Sequence, residues 1–278
     1  MAVRIVTDSA ADLTDAEAQA LDVTVVPLSI RFGTEEYVDR RDLTPGEFYA
    51  KLASAAVLPE TAAPSPGAFE VAFRAALDGG ADSVVCINIS SLLSATMASA
   101  QNAARAVEGG DIRIVDSRSI TSGLGSHVKA AAAAAARGAD ADEIVRLVEE
   151  MVPRTRVYGA LDTLDNLKKG GRIGGAQKML GTLLSIKPII DISTGEVQQE
   201  AKPRTRSKAL QHLVDKVVAA GAVENLSVMH GRAPDLEQFL DLLAAHHPRE
   251  DIHVGDIGAT IGVHGGPRVM GVTYQVPA

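Results

Sequence analysis

Ser83-Val84-Val85-Cys86-Ile87-Asn88-Ile89 runs directly into Ser90-Ser91-Leu92-Leu93-Ser94-Ala95-Thr96, and from there into an alanine-rich stretch ending at Val107. A short apolar run bounded by polar residues reads as a strand. Ala95 to Val107 reads as a helix. A strand end that feeds a hydroxyl-rich turn and then a helix start makes an anion site, because free backbone N–H groups and the positive end of the helix dipole face the turn. Ser90, Ser91, Ser94 and Thr96 add neutral donors but no charge and no base. That chemistry suits holding a carboxylate or phosphate better than breaking a bond.

Working outward, the same alternation fills the first half of the chain. Strands are expected over Val3 to Thr7, Val23 to Val26, Val84 to Ile89 and Ile112 to Val115. Helices are expected over Thr14 to Leu21, from Pro45 to about Ala55, from Ser65-Pro66 to about Leu77, over Ser122 to Arg137 and over Asp140 to Val152. Thr44-Pro45-Gly46-Glu47 is a capping box with proline at the first helical position, and Asp140 with Glu143 makes another. Leu28 to Phe32 and Glu36 to Val38 read as a hairpin around Gly33. Strands separated by helices of this length imply βαβ units and a parallel sheet.

Pro153 punctuates the chain, and the texture then changes. Val157 to Ala160 reads as a strand, Leu161 to Lys169 as a short helix and Ala176 to Leu184 as another. Lys187 to Ile192 and Glu196 to Ala201 read as a hairpin around Thr194-Gly195. Ser207 to Ala220 and Asp235 to Ala245 read as helices, with Leu226 to His230 a strand between them. Ile252 to Ile257 and Val269 to Gln275 flank what reads as a glycine-rich loop. The expected fold is α/β: an N-terminal domain over 1–155 with a mostly parallel sheet flanked by helices, and a second, α+β domain over 156–278 with a mixed sheet. A ligand is expected in the cleft between them.

Composition narrows the function classes. The 278 residues carry a formal net charge of −8, which gives a nucleic-acid role no support. Basic residues cluster only locally, at Lys168-Lys169-Gly170-Gly171-Arg172 and Lys202-Pro203-Arg204-Thr205-Arg206. The single cysteine, Cys86, sits in an apolar run and reads as a small core residue. Structure begins at once with Arg4-Ile5-Val6-Thr7-Asp8, and no apolar stretch reaches the ~18 residues of a membrane span. A cytoplasmic protein without stable membrane insertion is expected. With no Trp, five Phe and four Tyr, an internal cavity would be lined mostly by aliphatic side chains.

Several constellations could carry chemistry. Asp8 and Asp12 follow the first strand, where they either satisfy turn N–H groups or could hold a metal or act as acid and base, and Asp116-Ser117 repeats the pattern after another strand. Thr61 lies in a rigid loop, Thr61-Ala62-Ala63-Pro64-Ser65-Pro66-Gly67. Arg172 stands among Gly170, Gly171, Gly174 and Gly175, where it could clamp an anion. His264 stands in Gly262-Val263-His264-Gly265-Gly266-Pro267. The spacing G-x-G-x-x-G is absent from the Arg172 segment, G-x-x-x-x-G-K-[ST] is absent throughout, and no G-x-S-x-G surrounds Ser94. His246-His247 lies at a helix end without further ligands for a metal.

These stretches together resemble the DegV family of fatty-acid-binding proteins. The resemblance is carried by Thr7-Asp8-Ser9 with Asp12-Leu13, Pro64-Ser65-Pro66, the segment Ile89 to Ala100, Val115-Asp116-Ser117, Leu164 to Ile173, and His264-Gly265-Gly266-Pro267. It implies a two-domain α/β protein that seals one long-chain fatty acid in an apolar tunnel, with no cofactor and no catalytic residues of its own. It further implies a separate kinase subunit carrying ATP, which phosphorylates the bound carboxylate to give acyl-phosphate for phospholipid synthesis. By analogy Thr61 and Ser94 hydrogen-bond the carboxylate with His264 nearby, Thr96 joins the donor set, and Arg172 and Arg204 serve the head group or the kinase-facing surface. Two positions depart from the family pattern: Ala95 where Ser-Gly-Thr is usual, and Arg268 where Gly-Pro-Gly is usual. Two rival readings stay open here. One is a stand-alone hydrolase or transferase using Asp8, Asp116 or His264; the other is a module for a small polar anion using Arg172 and Arg204.

Overall fold

The computed structural model describes residues 2–179 and 186–278. The chain opens with β1 (Val3–Asp8), α1 (Asp15–Ala20) and β2 (Val23–Val26). A small antiparallel sheet follows, built from β3 (Ser29–Phe32), β4 (Glu35–Val38) and β5 (Glu60–Ala62), with α2 (Pro45–Ser54) inserted between its last two strands. Then come α3 (Pro66–Asp78), β6 (Ser83–Asn88), α4 (Thr96–Ala106), β7 (Asp111–Asp116), α5 (Thr121–Ala136) and α6 (Ala141–Met151). The capping boxes expected at Thr44 and Asp140 form, and a third forms at Thr14 with Glu17. Each satisfies two orphan N–H groups at a helix start.

β1, β2, β6 and β7 make a parallel sheet in the order β2-β1-β6-β7. β6 is buried along its whole length, as its unbroken apolar run requires. Val84 and Cys86 turn toward α3 and α4, meeting Phe69, Phe73 and Ala100. Val85 and Ile87 turn toward α5 and α6. Burial pushes the Cys86 thiol well above its ordinary range, so it stays protonated and behaves as a core residue. The chain winds away from β1 in opposite directions, to β2 on one side and to β6 on the other. The carboxyl ends of β1 and β6 therefore flank the switch point, where open α/β sheets place their ligands.

The second half contributes β8 (Thr155–Ala160), α7 (Asp165–Lys169), β9 (Ile189–Asp191), β10 (Gln198–Ala201), α8 (Arg206–Ala219), β11 (Glu224–His230), α9 (Leu236–Ala244), β12 (His253–Asp256), α10 (Ala259–Gly265) and β13 (Met270–Gln275). Its strands form one mixed sheet, β10-β9-β8-β13-β11-β12, in which only β11 and β12 run parallel. Side chains alternate across this sheet. Tyr158, Met270, Val272 and Tyr274 pack under α8 and α9, with Leu210, Leu213 and Phe239. Val157, Leu161 and Val269 face the opposite way, into a buried cluster that also contains Ile5 and Val85 of the parallel sheet.

Helix α5 lies between the two sheets. It touches β1 and β6 on one side and β8, β11 and β13 on the other. Small residues permit this. Gly125 lies so close to the Ala11 carbonyl that an added Cβ would stand 2.8 Å from that oxygen, and Ala131, Ala132 and Ala134 are buried. A helix buried nearly all round must be apolar or small nearly all round.

Four local expectations change. The helix expected from Leu161 forms only over Asp165–Lys169. Of the helix expected over 176–184, Gly174–Met179 is a 3-10 helix and residues 180–184 lie outside the described residues. Thr61 sits in strand β5 rather than in a loop, because Ile30 of β3 pairs with it. The glycine-rich loop around His264 is largely the helix α10.

Candidate functional site

The decisive stretch distributes its hydroxyls to different tasks. Ser90 Oγ donates to the Gly195 carbonyl in the β9–β10 turn, tying the two halves together. Ser91 Oγ donates to Asp116, whose other oxygen accepts from the Ser91 N–H at 3.2 Å. Thr96 is fully buried; its Oγ1 lies 2.8 Å from Ser94 Oγ, which also accepts from the Thr96 N–H at 3.3 Å. Thr96 thus holds Ser94 in place and does not line the cavity described next. Ser94 alone of the four reaches it.

That cavity lies beyond the carboxyl ends of β2 and β6, against the free face of the mixed sheet, with a volume of about 150 Å³. Ile89, Leu93 and Ile120 line it from the first half, and Val157, Leu161 and Ile190 from the second. Gly159 of β8 and Gly271 of β13 stand directly opposite each other on its floor. Neither has a positive φ. Their missing side chains leave a trough in the sheet face.

Polar side chains gather at one end, from four separate elements: Thr61 from β5, Ser94 from the β6–α4 turn, Arg172 from beyond α7 and His264 from α10. Thr61 Oγ1 and His264 Nε2 are 3.1 Å apart. His264 Nδ1 is buried without a hydrogen-bond partner. Burial, aided by the Arg172 charge, pushes the imidazole down to about 4, so it is neutral at pH 7. Gly170 makes room for the ring, since a Cβ there would stand 2.4 Å from Nδ1. Arg172 donates to the Leu93 carbonyl at 3.2 Å and the Gly170 carbonyl at 2.8 Å. No carboxylate among the described residues pairs with it. Three neutral groups and one uncompensated cation at the end of an apolar trough favour an anion that carries a hydrocarbon.

The other candidates fall elsewhere. Arg204 is exposed on the loop between β10 and α8, off the cavity lining. Asp8 is buried at the switch point, where it accepts from the Asn88 side chain at 3.1 Å and from the N–H groups of Ile89 at 2.8 Å and Ala10 at 3.1 Å. Burial pushes its carboxyl up to about 6 against those donors. It pins the ends of β1 and β6. Asp116 serves Ser91 and pairs with Arg118 at 2.9 Å. Neither carboxylate lines the cavity. Among the described residues, no three His, Cys, Asp or Glu side chains gather to hold a metal, and no helix is long and apolar enough to cross a membrane.

Residues 2–276 match the family described as "Uncharacterised protein, DegV family". The chain belongs to the DegV family. A DegV domain-containing protein of Deinococcus radiodurans is 35% identical over 286 residues, with 99% of each chain covered. Among solved structures, a fatty-acid-binding DegV family protein of Thermus thermophilus superposes with a TM-score of 0.91 at 32% identity, covering 100% of both chains. A stearic-acid-binding protein of Eubacterium ventriosum superposes with a TM-score of 0.86 at 26% identity, covering 98% of both. The α/β architecture with a parallel and a mixed sheet is therefore the DegV fold.

The two departures from the family pattern differ in physical consequence. Ala95 has φ −77° and ψ 3°, a conformation open to any residue. Arg268 has φ 61°, in the left-handed region that favours glycine. Its guanidinium lies 3.5 Å from Asp162, which also accepts from Lys187 at 2.9 Å. Sequence reading missed Thr260, which lines the cavity beside His264. A helical period through 260 and 264 would have found it, had the segment been read as helix.

Proposed function

We propose that this chain binds one long-chain fatty acid with its tail in the trough on the free face of the mixed sheet and its carboxylate among Thr61, Ser94, His264 and Arg172. One observation carries the reading: the cavity is lined mostly by aliphatic side chains, and Arg172 and His264 gather with Thr61 and Ser94 in one cluster on its wall. Burying the tail contributes about 0.8 kcal/mol per methylene, so ten give roughly 8 kcal/mol before association costs. The polar end then needs only to orient the head group. The fatty-acid-binding descriptions of the structural neighbours from Thermus thermophilus and Eubacterium ventriosum support the same ligand class.

The ligand seam divides the chain near residue 155 into a 1–155 domain and a 156–278 domain, with all strands of the parallel sheet before that point and all strands of the mixed sheet after it. Thr61 and the neutral His264 make a hydroxyl–imidazole pair, but among the described residues no carboxylate orients Nδ1, which favours a carrier over an enzyme. In this reading a separate cytoplasmic kinase subunit brings ATP and phosphorylates the carboxylate, and Arg172, exposed at the mouth, meets the incoming phosphate charge; exposed Arg204 serves the docking face. The acyl-phosphate then feeds phospholipid synthesis. Organic extraction of the purified protein followed by mass spectrometry tests the ligand: one long-chain fatty acid per chain is expected. A protein that carries none, and takes up none from a fatty-acid titration, would remove the reading.

A further inference from the structure

Helix α10 is seven residues long and contains Gly262 and Gly265, so it cannot hold its own shape or direction. Its orientation is imposed from outside. The Gly258 N–H, at the helix start, donates to Asp12 Oδ1 at 2.9 Å. Thr260 Oγ1 donates to Asp39 Oδ2 at 2.6 Å, and the same oxygen accepts from Ser9 Oγ at 2.8 Å. Ser9 Oγ in turn accepts from the Leu28 N–H at 3.1 Å. Asp39, Thr260 and Ser9 are all buried. One carboxylate oxygen therefore joins the residue after β1 to the first turn of the helix that carries His264.

The geometry gives that link a direction of action. Thr260 and His264 are four residues apart and share the helix face that lines the cavity, so turning one turns the other. Asp39 itself does not line the cavity. Its second oxygen, Oδ1, is buried without a partner. Leaving half a buried carboxylate unsatisfied is costly, and its two hydroxyl partners are the contacts that the group makes here. On the far side of the helix, the Asn166 side chain donates to the Val263 carbonyl at 2.9 Å, so α10 is gripped from both sides.

We propose that Asp39 is a positioning residue for the polar end of the cavity: acting through Thr260, it sets the rotation of α10 and thereby the placement of His264 against Thr61. The ligand arm of the test rests on the fatty-acid reading above; the spectroscopic arm does not.

Asp39→Ala, Asp39→Asn and Thr260→Val are compared with the unaltered chain. In Asp39→Asn the amide oxygen can replace Oδ2 and accept both hydroxyls, while the amide nitrogen takes the place of the partnerless Oδ1. In the unliganded protein the His264 ring resonances, assigned with His264→Gln, are expected to move in Asp39→Ala and Thr260→Val and to stay near their original place in Asp39→Asn. The preference for hexadecanoic acid over hexadecanol, measured by titration, is expected to fall about ten-fold in Asp39→Ala and Thr260→Val, with alcohol affinity held. Asp39→Asn is expected to keep most of the preference. Unmoved His264 resonances in Thr260→Val, or equal loss of acid and alcohol binding in Asp39→Ala, would overturn the proposal. If Asp39→Ala does not fold, Thr260→Val decides. If the unaltered chain binds neither compound, the fatty-acid reading fails, and the ring resonances still decide the positioning role.

Discussion

The two ends of the cavity are built by opposite means. The floor is regular: β8 and β13 pair in register, every second residue faces inward, and Gly159 opposes Gly271 between Val157, Thr273, Leu161 and Val269. The polar end is assembled from a short strand, a turn, a loop and a seven-residue helix, each supplying one side chain. A regular sheet face sets a volume, and volume sets how much hydrocarbon is buried. Converging loops set directions, and direction decides how a head group lies. The floor should therefore govern affinity and chain length, and the polar end should govern which head group is accepted.

The sharpest way to break that division is to fill the trough. A Cβ at Gly159 would lie 3.5 Å from Ile190, an ordinary contact, so Gly159→Val adds bulk to the cavity without forcing the backbone. Excluding three methylenes costs about 2.4 kcal/mol, or roughly 50-fold in Kd for an acid that fills the cavity. Acids three carbons shorter should bind as before. Titration with a series of chain lengths checks this; equal weakening at every length would mean that the floor does not measure the tail.

At the other end, Ser94→Ala removes a head-group donor and leaves the trough intact. An affinity loss of about ten-fold is expected, the size of one hydrogen bond to a charged group. The loss should be the same for every chain length, in contrast to Gly159→Val. With the kinase subunit proposed above and ATP, acyl-phosphate formation should fall while thermal stability stays near that of the unaltered chain. A loss that grows with chain length would put Ser94 on the tail rather than on the head.

The pH response of binding also belongs to the polar end. The His264 imidazole stands at about 4 in the empty site, because burial and the Arg172 charge disfavour its cation. An arriving carboxylate favours that cation, so binding takes up protons as pH falls. If the bound state returns His264 to its ordinary value near 6.5, affinity rises about four-fold from pH 7.5 to pH 6. Calorimetry in buffers of differing ionisation heat should register the uptake, and His264→Asn should abolish it. An affinity that fell over the same interval would place the carboxylate away from His264.

The same contrast explains what the sequence could disclose. The apolar run Ser83 to Ile89, the alternation of strands and helices, and the capping boxes at Thr44 and Asp140 all became the elements they announced, because local spacing alone encodes them. Thr61 did not read as a strand, since three residues of β5 carry no usable alternation and are extended only by pairing with β3. The α10 segment read as a loop because glycine lowers helix propensity. Gly262 is needed for contact: an added Cβ would stand 2.6 Å from Phe48 and 2.7 Å from the Tyr49 hydroxyl. Such demands arise from residues more than two hundred positions away. The same holds for the hydroxyls of the opening stretch, where only tertiary contacts separate Ser94 from Ser90, Ser91 and Thr96.

The smallest expected effect lies at the joint between the two ends, where Gly266-Pro267-Arg268 leads from α10 into β13. Arg268 holds a φ of 61°, which costs a residue with a Cβ roughly 1 kcal/mol relative to glycine. Its return is a long, half-exposed contact with Asp162 at 3.5 Å, of a kind that contributes little. Arg268→Gly should therefore raise stability, by up to about 1 kcal/mol after the added entropy of glycine in the unfolded chain is discounted. Urea unfolding at neutral pH measures it. Fatty-acid affinity and chain-length preference should stay in place, because the backbone that carries His264 at one end and Gly271 at the other keeps its course through the Arg268 N–H, which donates to the Gly231 carbonyl at 2.7 Å. A destabilised Arg268→Gly would show that the ion pair with Asp162 outweighs the backbone strain, and that the joint is held from its surface rather than by its main chain.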